Sequence, residues 1–175
     1  MKQQLIVSGM GGQGVLFLTR VIAEAGVLMG LEVLTAETHG MAQRGGSVLS
    51  TVKVGAFHSP LVRRGCADAG LFLHPDNLEA HGPYLRAGGR RFVNTSEQIL
   101  VGGGAEGVET VDATGLARDL GDPLLANLVL LGRAVSSGTL FCDTDQARAA
   151  VLALSRGKRA EANLAALERG LTAGV

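Results

Sequence analysis

Hydrophobic and polar positions alternate between two periods along this chain. Leu5-Ile6-Val7-Ser8 is a short apolar run of the kind that forms a buried strand, and it enters the loop Gly9-Met10-Gly11-Gly12-Gln13-Gly14. Apolar residues then recur at Val15, Leu18, Ile22, Ala25 and Met29, steps of three and four that line one face of a helix. Gly30 stands where a helix C-terminal glycine belongs. A second strand is expected over Glu32 to Glu37, and the β-branched, alternating stretch Ser47 to Val54 predicts a third. Ala69 to Leu73, Arg91 to Asn94 and Val108 to Val111 supply three more. Between them Pro75 is placed to open a helix carrying Leu78 and Leu85, and Gly102-Gly103-Gly104 reads as a surface loop.

Beyond Asp112 the period becomes helical. Asp122-Pro123 pairs an N-cap with a first-turn proline, and Asp143 with Gln146 forms a capping-box pattern ahead of Ala147, Val151 and Leu154. A last helix places Ala160, Leu164, Leu167 and Leu171 on one face. A strand, glycine loop, helix and strand in that order open a Rossmann-like unit. No repeat or long linker interrupts the chain. The expectation is one α/β domain over residues 1–175: a three-layer Rossmann-like sandwich with a mostly parallel sheet and C-terminal helices.

Composition narrows the function. At 175 residues and 46% hydrophobic content the chain can bury a core, and disorder is excluded. Sixteen basic residues balance sixteen acidic ones, and aromatics are 3%, which argues against nucleic acid and anionic membrane as partners. The most apolar later stretch, Leu124 to Leu131, is interrupted by Asn127 and falls short of the roughly 20 residues of a spanning helix. With no targeting signal visible, the expected location is the cytoplasm. Cys66 and Cys142 are the only cysteines, too few for an iron–sulfur cluster or a Cys-rich zinc site. His58, His74 and His81 show no metal-ligand spacing, so no metal site is expected, and no G-x-S-x-G signature of a serine hydrolase occurs.

Two segments carry candidate chemistry. Gly9, Gly11 and Gly14 satisfy G-x-G-x-x-G in the right strand–loop–helix setting, with Gly12 and Gln13 between them. Such a loop turns tightly and leaves a helix N-terminus facing a phosphate or carboxylate, or it simply packs strand against helix. Val15 and Leu16 after Gly14 exclude a Walker A loop. Gln13 is placed either to contact a ligand or partner, or to bond the loop backbone. The second segment is Thr38-His39-Gly40-Met41-Ala42-Gln43-Arg44-Gly45-Gly46. Arg44, flanked by Gly45 and Gly46, can offer a forked guanidinium to a carboxylate or phosphate, or else pair with backbone carbonyls in a tight loop. His39 and Gln43 are placed to orient that loop or a ligand. Asn127, a polar amide in an apolar helix, needs a hydrogen-bond partner if buried, and Lys158, Arg159 and Glu161 read as a solvated helix face or, as the lesser reading, an interface.

Together, Gly-Met-Gly-Gly-Gln-Gly and Glu-Thr-His-Gly-Met-Ala-Gln-Arg-Gly-Gly-Ser-Val resemble the γ-type subunit or domain of the 2-oxoacid:ferredoxin oxidoreductases, in particular the β subunit of the indolepyruvate type. The resemblance continues through Asn127 to Gly132 and through the tail from Lys158 to Gly170. It implies a non-cofactor subunit, inactive alone, with no catalytic residue of its own. It would dock on a large α-type subunit holding thiamine diphosphate, Mg and [4Fe-4S] clusters. That complex would decarboxylate a 2-oxoacid oxidatively to an acyl-CoA, with coenzyme A as co-substrate and ferredoxin as electron acceptor. Gly9, Gly11, Gly12, Gln13, Gly14, His39, Gln43, Arg44, Gly45 and Gly46 are then the ligand- or partner-facing residues. Ala36 and Thr38 stand where members commonly carry Ser and Val, and residues 66–107 match loosely, which leaves the particular 2-oxoacid open. Two other readings remain: a free-standing Rossmann-like nucleotide-binding module using the glycine loop with Glu37, and a pure assembly subunit with an empty loop. A homodimer of the isolated chain is also left open.

Overall fold

The computed structural model describes residues 1–38, 46–97 and 107–173. The chain runs β1 (Gln3–Met10), α1 (Val15–Leu28), β2 (Val33–Thr38), β3 (Ser47–Val54), β4 (Ala67–Phe72) and α2 (Asp76–His81). After these come β5 (Leu85–Asn94), β6 (Val108–Val111), α3 (Ala113–Asp119), α4 (Ala126–Ser136), α5 (Thr144–Leu154) and α6 (Lys158–Thr172). The six strands form one sheet in the order β2-β3-β1-β4-β5-β6. β1, β4, β5 and β6 pair in parallel, while β3 is antiparallel to both β1 and β2. The sheet is therefore mixed, with a parallel half and an antiparallel margin.

β1 sits centrally and is covered on both faces, so Leu5 through Gly9 are all buried and no alternation shows in its sequence. On one face, α1, α3, α4, α5 and α6 bury the main core, which includes Leu5, Val7, Leu18, Ile22, Leu71, Phe92, Leu128 and Leu167. α4 is buried from Ala126 to Gly132, which explains an apolar run with no polar stripe. No helix among the described residues is long and apolar enough to cross a membrane. The other face carries a thinner layer, α2 with its flanking loops, over a smaller cluster of Ile6, Leu49, Val62, Phe72 and Val93.

Most predicted boundaries lie within two residues of the observed ones. The capping box is complete: Asp143 Oδ1 accepts from Gln146 N at 3.0 Å and Gln146 Oε1 accepts from Asp143 N at 2.7 Å. Asp122 Oδ1 accepts from Leu124 N at 2.9 Å and caps a 3-10 turn that leads into α4. β5 begins at Leu85, well before the expected Arg91, and two further expectations need correction. Leu85 is not on the helix opened by Pro75. That helix stops at His81, Gly82-Pro83-Tyr84 forms a 3-10 turn, and Leu85 begins β5 opposite Ala67. Pro83 lacks an amide hydrogen, so the chain turns there and does not continue the helix. The buried face of α6 is centred on Asn163, Ala166, Leu167 and Gly170, with Leu164 and Leu171 at its margin. Its central positions are small because α6 lies close against α4. A side chain on Gly132 would overlap Leu167 O, and one on Gly170 would overlap Val129 O.

Candidate functional site

β1 and β4 are neighbours whose connections diverge. α1 leaves β1 on one face toward β2, and α2 leaves β4 on the other face toward β5. Their carboxyl ends therefore bound the crevice where open α/β sheets bind ligands. The glycine loop lies there, at the end of β1.

Gly12, with φ +98°, lines the groove beside the α1 N-terminus, while the other glycine-loop residues bond or pack within the protein. Gly11 N donates to Gly46 O at 2.9 Å, so the glycine loop and the end of the His39–Gly46 segment meet. Thr38 and Ser47, which flank that segment, lie at this same end of the sheet, opposite Leu49 and Met10 respectively. His39, Gln43, Arg44 and Gly45 fall outside the described residues, as do Gly102, Gly103 and Gly104. Gln13 spends both ends of its amide on backbone: Oε1 accepts from Met10 N at 2.7 Å and Nε2 donates to Leu73 O at 3.2 Å. It braces the loop across the β1–β4 crevice. Gly9 has no room for a side chain, since a Cβ there would lie 2.9 Å from both Gln13 Oε1 and Leu73 Cβ. Gly14 is left-handed, with φ +78°, and caps α1 without any side-chain hydrogen bond to the first turn. Asn127 of α4, 5% exposed, donates from Nδ2 to Gly14 O at 3.2 Å and accepts from Leu128 N at 2.8 Å. Asn127 thus bonds backbone and also lines the groove beside the α1 N-terminus, and its approach leaves no space for a Cβ on Gly14.

The α1 N-terminus opens into a groove of about 610 Å³ between the glycine loop, the start of α4 and the α5–α6 turn. Phe17, Leu124 and Leu154 give it apolar walls. Arg156 and Arg159 stand exposed at its rim and make no ion pair among the described residues. Asn163, 6% exposed, also lines it and donates to Ser155 Oγ at 2.8 Å. Asp122 is the one acid on the lining. A helix N-terminus with two free guanidinium groups favours an anion, and the apolar walls favour a ligand with a planar or aliphatic part. A smaller cavity of about 210 Å³ adjoins it, between Gln13, Asn94, Thr114 and Leu124. In the sequence Arg159 reads as part of a solvated helix face or, less, an interface, and Arg156 carries no signal of its own. Arg-Gly-Lys-Arg between two helices was the available signal, but nothing in its spacing says that α6 brings it over the glycine loop.

Other candidates lie elsewhere. Glu37 is exposed on β2, which β3 separates from β1: Glu37 faces Ser50, and Ser50 faces Val7. In dinucleotide-binding domains the ribose-binding acid ends the strand next to the first. Here it stands about 10 Å away across two strand spacings, which counts against the dinucleotide reading. Cys142 is buried, and burial pushes its thiol up to about 11. Cys66 is half-buried and belongs to the cluster on the opposite face of the sheet. Among the described residues no three His, Cys, Asp or Glu side chains are placed to share a metal ion.

Comparison with known proteins agrees with this architecture. Residues 4–173 match the family described as pyruvate ferredoxin/flavodoxin oxidoreductase. The indolepyruvate oxidoreductase subunit IorB of Archaeoglobus fulgidus is 31% identical over 189 aligned positions, covering 97% of this chain and 94% of that one. The ketoisovalerate oxidoreductase subunit VorA of Methanothermobacter thermautotrophicus is 29% identical over 94% of this chain but only 35% of its own length, so there the same unit is part of a longer polypeptide. The crystal structure of the keto/oxoacid ferredoxin oxidoreductase gamma subunit from Geobacter sulfurreducens superposes with a TM-score of 0.79 at 26% identity, covering 96% of this chain and 95% of that chain. The chain belongs to the pyruvate ferredoxin/flavodoxin oxidoreductase family, and it aligns over almost its whole length with small subunits of 2-oxoacid ferredoxin oxidoreductases.

Proposed function

We propose that this chain is the non-cofactor subunit of a cytoplasmic 2-oxoacid:ferredoxin oxidoreductase of the indolepyruvate type, and that its glycine-loop edge forms the coenzyme A side of the active site. The groove beside the α1 N-terminus, with Arg156 and Arg159 at its rim, carries this reading. Coenzyme A combines phosphates, which suit an uncapped helix N-terminus and two guanidinium groups, with an adenine and an aliphatic arm, which suit Phe17, Leu124 and Leu154. Arg44 is assigned to an anionic group of either substrate.

Thiamine diphosphate, Mg and the [4Fe-4S] clusters are assigned to a large partner subunit, and the reducing equivalents leave from there to ferredoxin. Cys66 and Cys142 belong to the layers on opposite faces of the sheet and cannot share a cluster. This chain's part is to bind and orient, and the partner's cofactor supplies the carbon–carbon bond cleavage.

The test is turnover of the reconstituted complex. An Arg156→Ala/Arg159→Ala double variant is expected to raise KM for coenzyme A about tenfold, the size of one lost charge-assisted hydrogen bond, with KM for the 2-oxoacid unchanged. An unchanged KM for coenzyme A would leave the groove as a partner-docking surface only. Arg44→Ala is expected to lower turnover while the subunits still co-elute. Wild-type turnover in that complex would remove Arg44 from the site.

A further inference from the structure

α2 is six residues long, too short to be stable alone, and the residue it buries is an amide rather than an aliphatic side chain. It crosses the sheet on the face away from α1 and α4, beneath the edge where both glycine-bearing segments leave their strands. Asn77, 2% exposed, donates from Nδ2 to Ser47 Oγ at 2.6 Å and reaches Gly9 O at 3.5 Å. His81, one turn later, has Nδ1 2.6 Å from Ser8 Oγ. Ser8 is fully buried, and its hydroxyl also lies 3.2 Å from Val48 O. Gly9 pairs with Val48 and Ser8 with Leu49 in the β1–β3 ladder. Two side chains of one short helix therefore reach residues 8 and 9 of one strand and residue 47 of the other, and through Ser8 residue 48. These are the positions at the roots of the glycine loop and of the segment that ends at Gly46.

The chemistry is costly for a packing role. Asn77 Oδ1 is enclosed and accepts no hydrogen bond among the described residues, although an apolar cluster that includes Ile6, Leu49 and Phe72 lies on this face and Leu78 beside Asn77 joins it. A leucine at position 77 would have served packing without an orphaned acceptor. Amides and imidazoles fix distance and direction where aliphatic side chains slide. We infer that Asn77 and His81 are positioning residues that clamp the roots of the two glycine-bearing segments at a fixed separation, and so set how the small subunit presents them to a ligand. This deepens the coenzyme A reading and rests on it for the identity of the ligand.

The experiment uses two readouts on the Asn77→Leu variant. In the free chain, amide exchange over residues 9–14 and 46–49 should speed up at least tenfold while the rest of the sheet keeps its protection. In the reconstituted complex, composition should stay unchanged, and KM for coenzyme A or for the 2-oxoacid should rise about tenfold with kcat within twofold. His81→Ala should act in the same direction, and His81→Asn, which keeps a polar atom near the Nδ1 position, should restore wild-type behaviour. Unchanged exchange, or faster exchange with both KM values at wild type, overturns the inference. If Asn77→Leu does not fold, Ser47→Ala removes the partner hydroxyl from an exposed position and must give the same pair of changes. A KM for coenzyme A that responds neither to this clamp nor to the Arg156/Arg159 double variant, beside a raised KM for the 2-oxoacid, overturns the ligand assignment and leaves the clamp standing.

Discussion

Where α4 crosses α6, backbone lies against backbone. Where β1 turns into α1, amide side chains reach in to hold the loop beyond the end of the β1–β3 ladder. At the crossing, Gly132 and Gly170 leave no space for even a methyl group beside Leu167 O and Val129 O. At the loop, Gln13 and Asn127 supply hydrogen bonds to Met10 N, Leu73 O and Gly14 O. The first region is held by steric exclusion, which tolerates no added atom. The second is held by directional bonds, each of modest net worth. Yet both serve the same groove. The crossing sets where α6 carries Arg159 and Asn163, and the amides set where the α1 N-terminus faces them.

The crossing is the more vulnerable of the two. Gly170→Ala is expected to lower stability by about 3 kcal/mol, the upper end of the usual overpacking cost. Denaturant unfolding would show it, and a midpoint equal to wild type would mean that the helices part without cost. The loop should respond less and in a coupled way. Gly14→Ala meets both a φ of +78° and the Asn127 amide, for a loss of about 2 kcal/mol. Combining it with Asn127→Ala should cost less than the sum of the two single changes, because the clash is already gone. Strict additivity would show that Asn127 does not define the space at Gly14.

The smallest effect belongs to the opposite face. Burial, and then the positive charge of Arg64, hold His81 below its ordinary value of 6.5. Below that pH the unfolded chain takes up a proton that the folded chain resists, so stability is full above 6.5 and declines as pH falls. His81→Asn should flatten that part of the profile between pH 7.5 and 5.5. A wild-type profile in the variant would show that His81 titrates alike in both states.

The comparison also shows where sequence reasoning reached and where it stopped. Asp122, Asp143 and Gln146 were legible because capping is decided within four residues. The glycine loop was legible because its turn and the helix after it are local. Leu85 was misplaced because its apolar spacing from Leu78 fits a helix, and only the turn at Gly82-Pro83-Tyr84 decides otherwise. The α6 face was misjudged because hydrophobicity marks Leu164 and Leu171, whereas close approach to α4 selects Asn163, Ala166 and Gly170.

The α/β class, the glycine loop at the end of β1, the excess of motif glycines over redox-capable cysteines and a family resemblance carried by two short segments are all legible in the order of the residues. These are properties of local pattern and composition. The folded chain inserts β3 between β1 and β2 and so sets Glu37 apart. It also makes Asn127 and Gly14 depend on each other across 113 residues of chain, hangs Arg156 and Arg159 over the α1 N-terminus, and lets Asn77 and His81 grip two strand ends from beneath. Each of these depends on side chains far apart in sequence meeting at one edge of the sheet, and strand order and helix packing set that meeting.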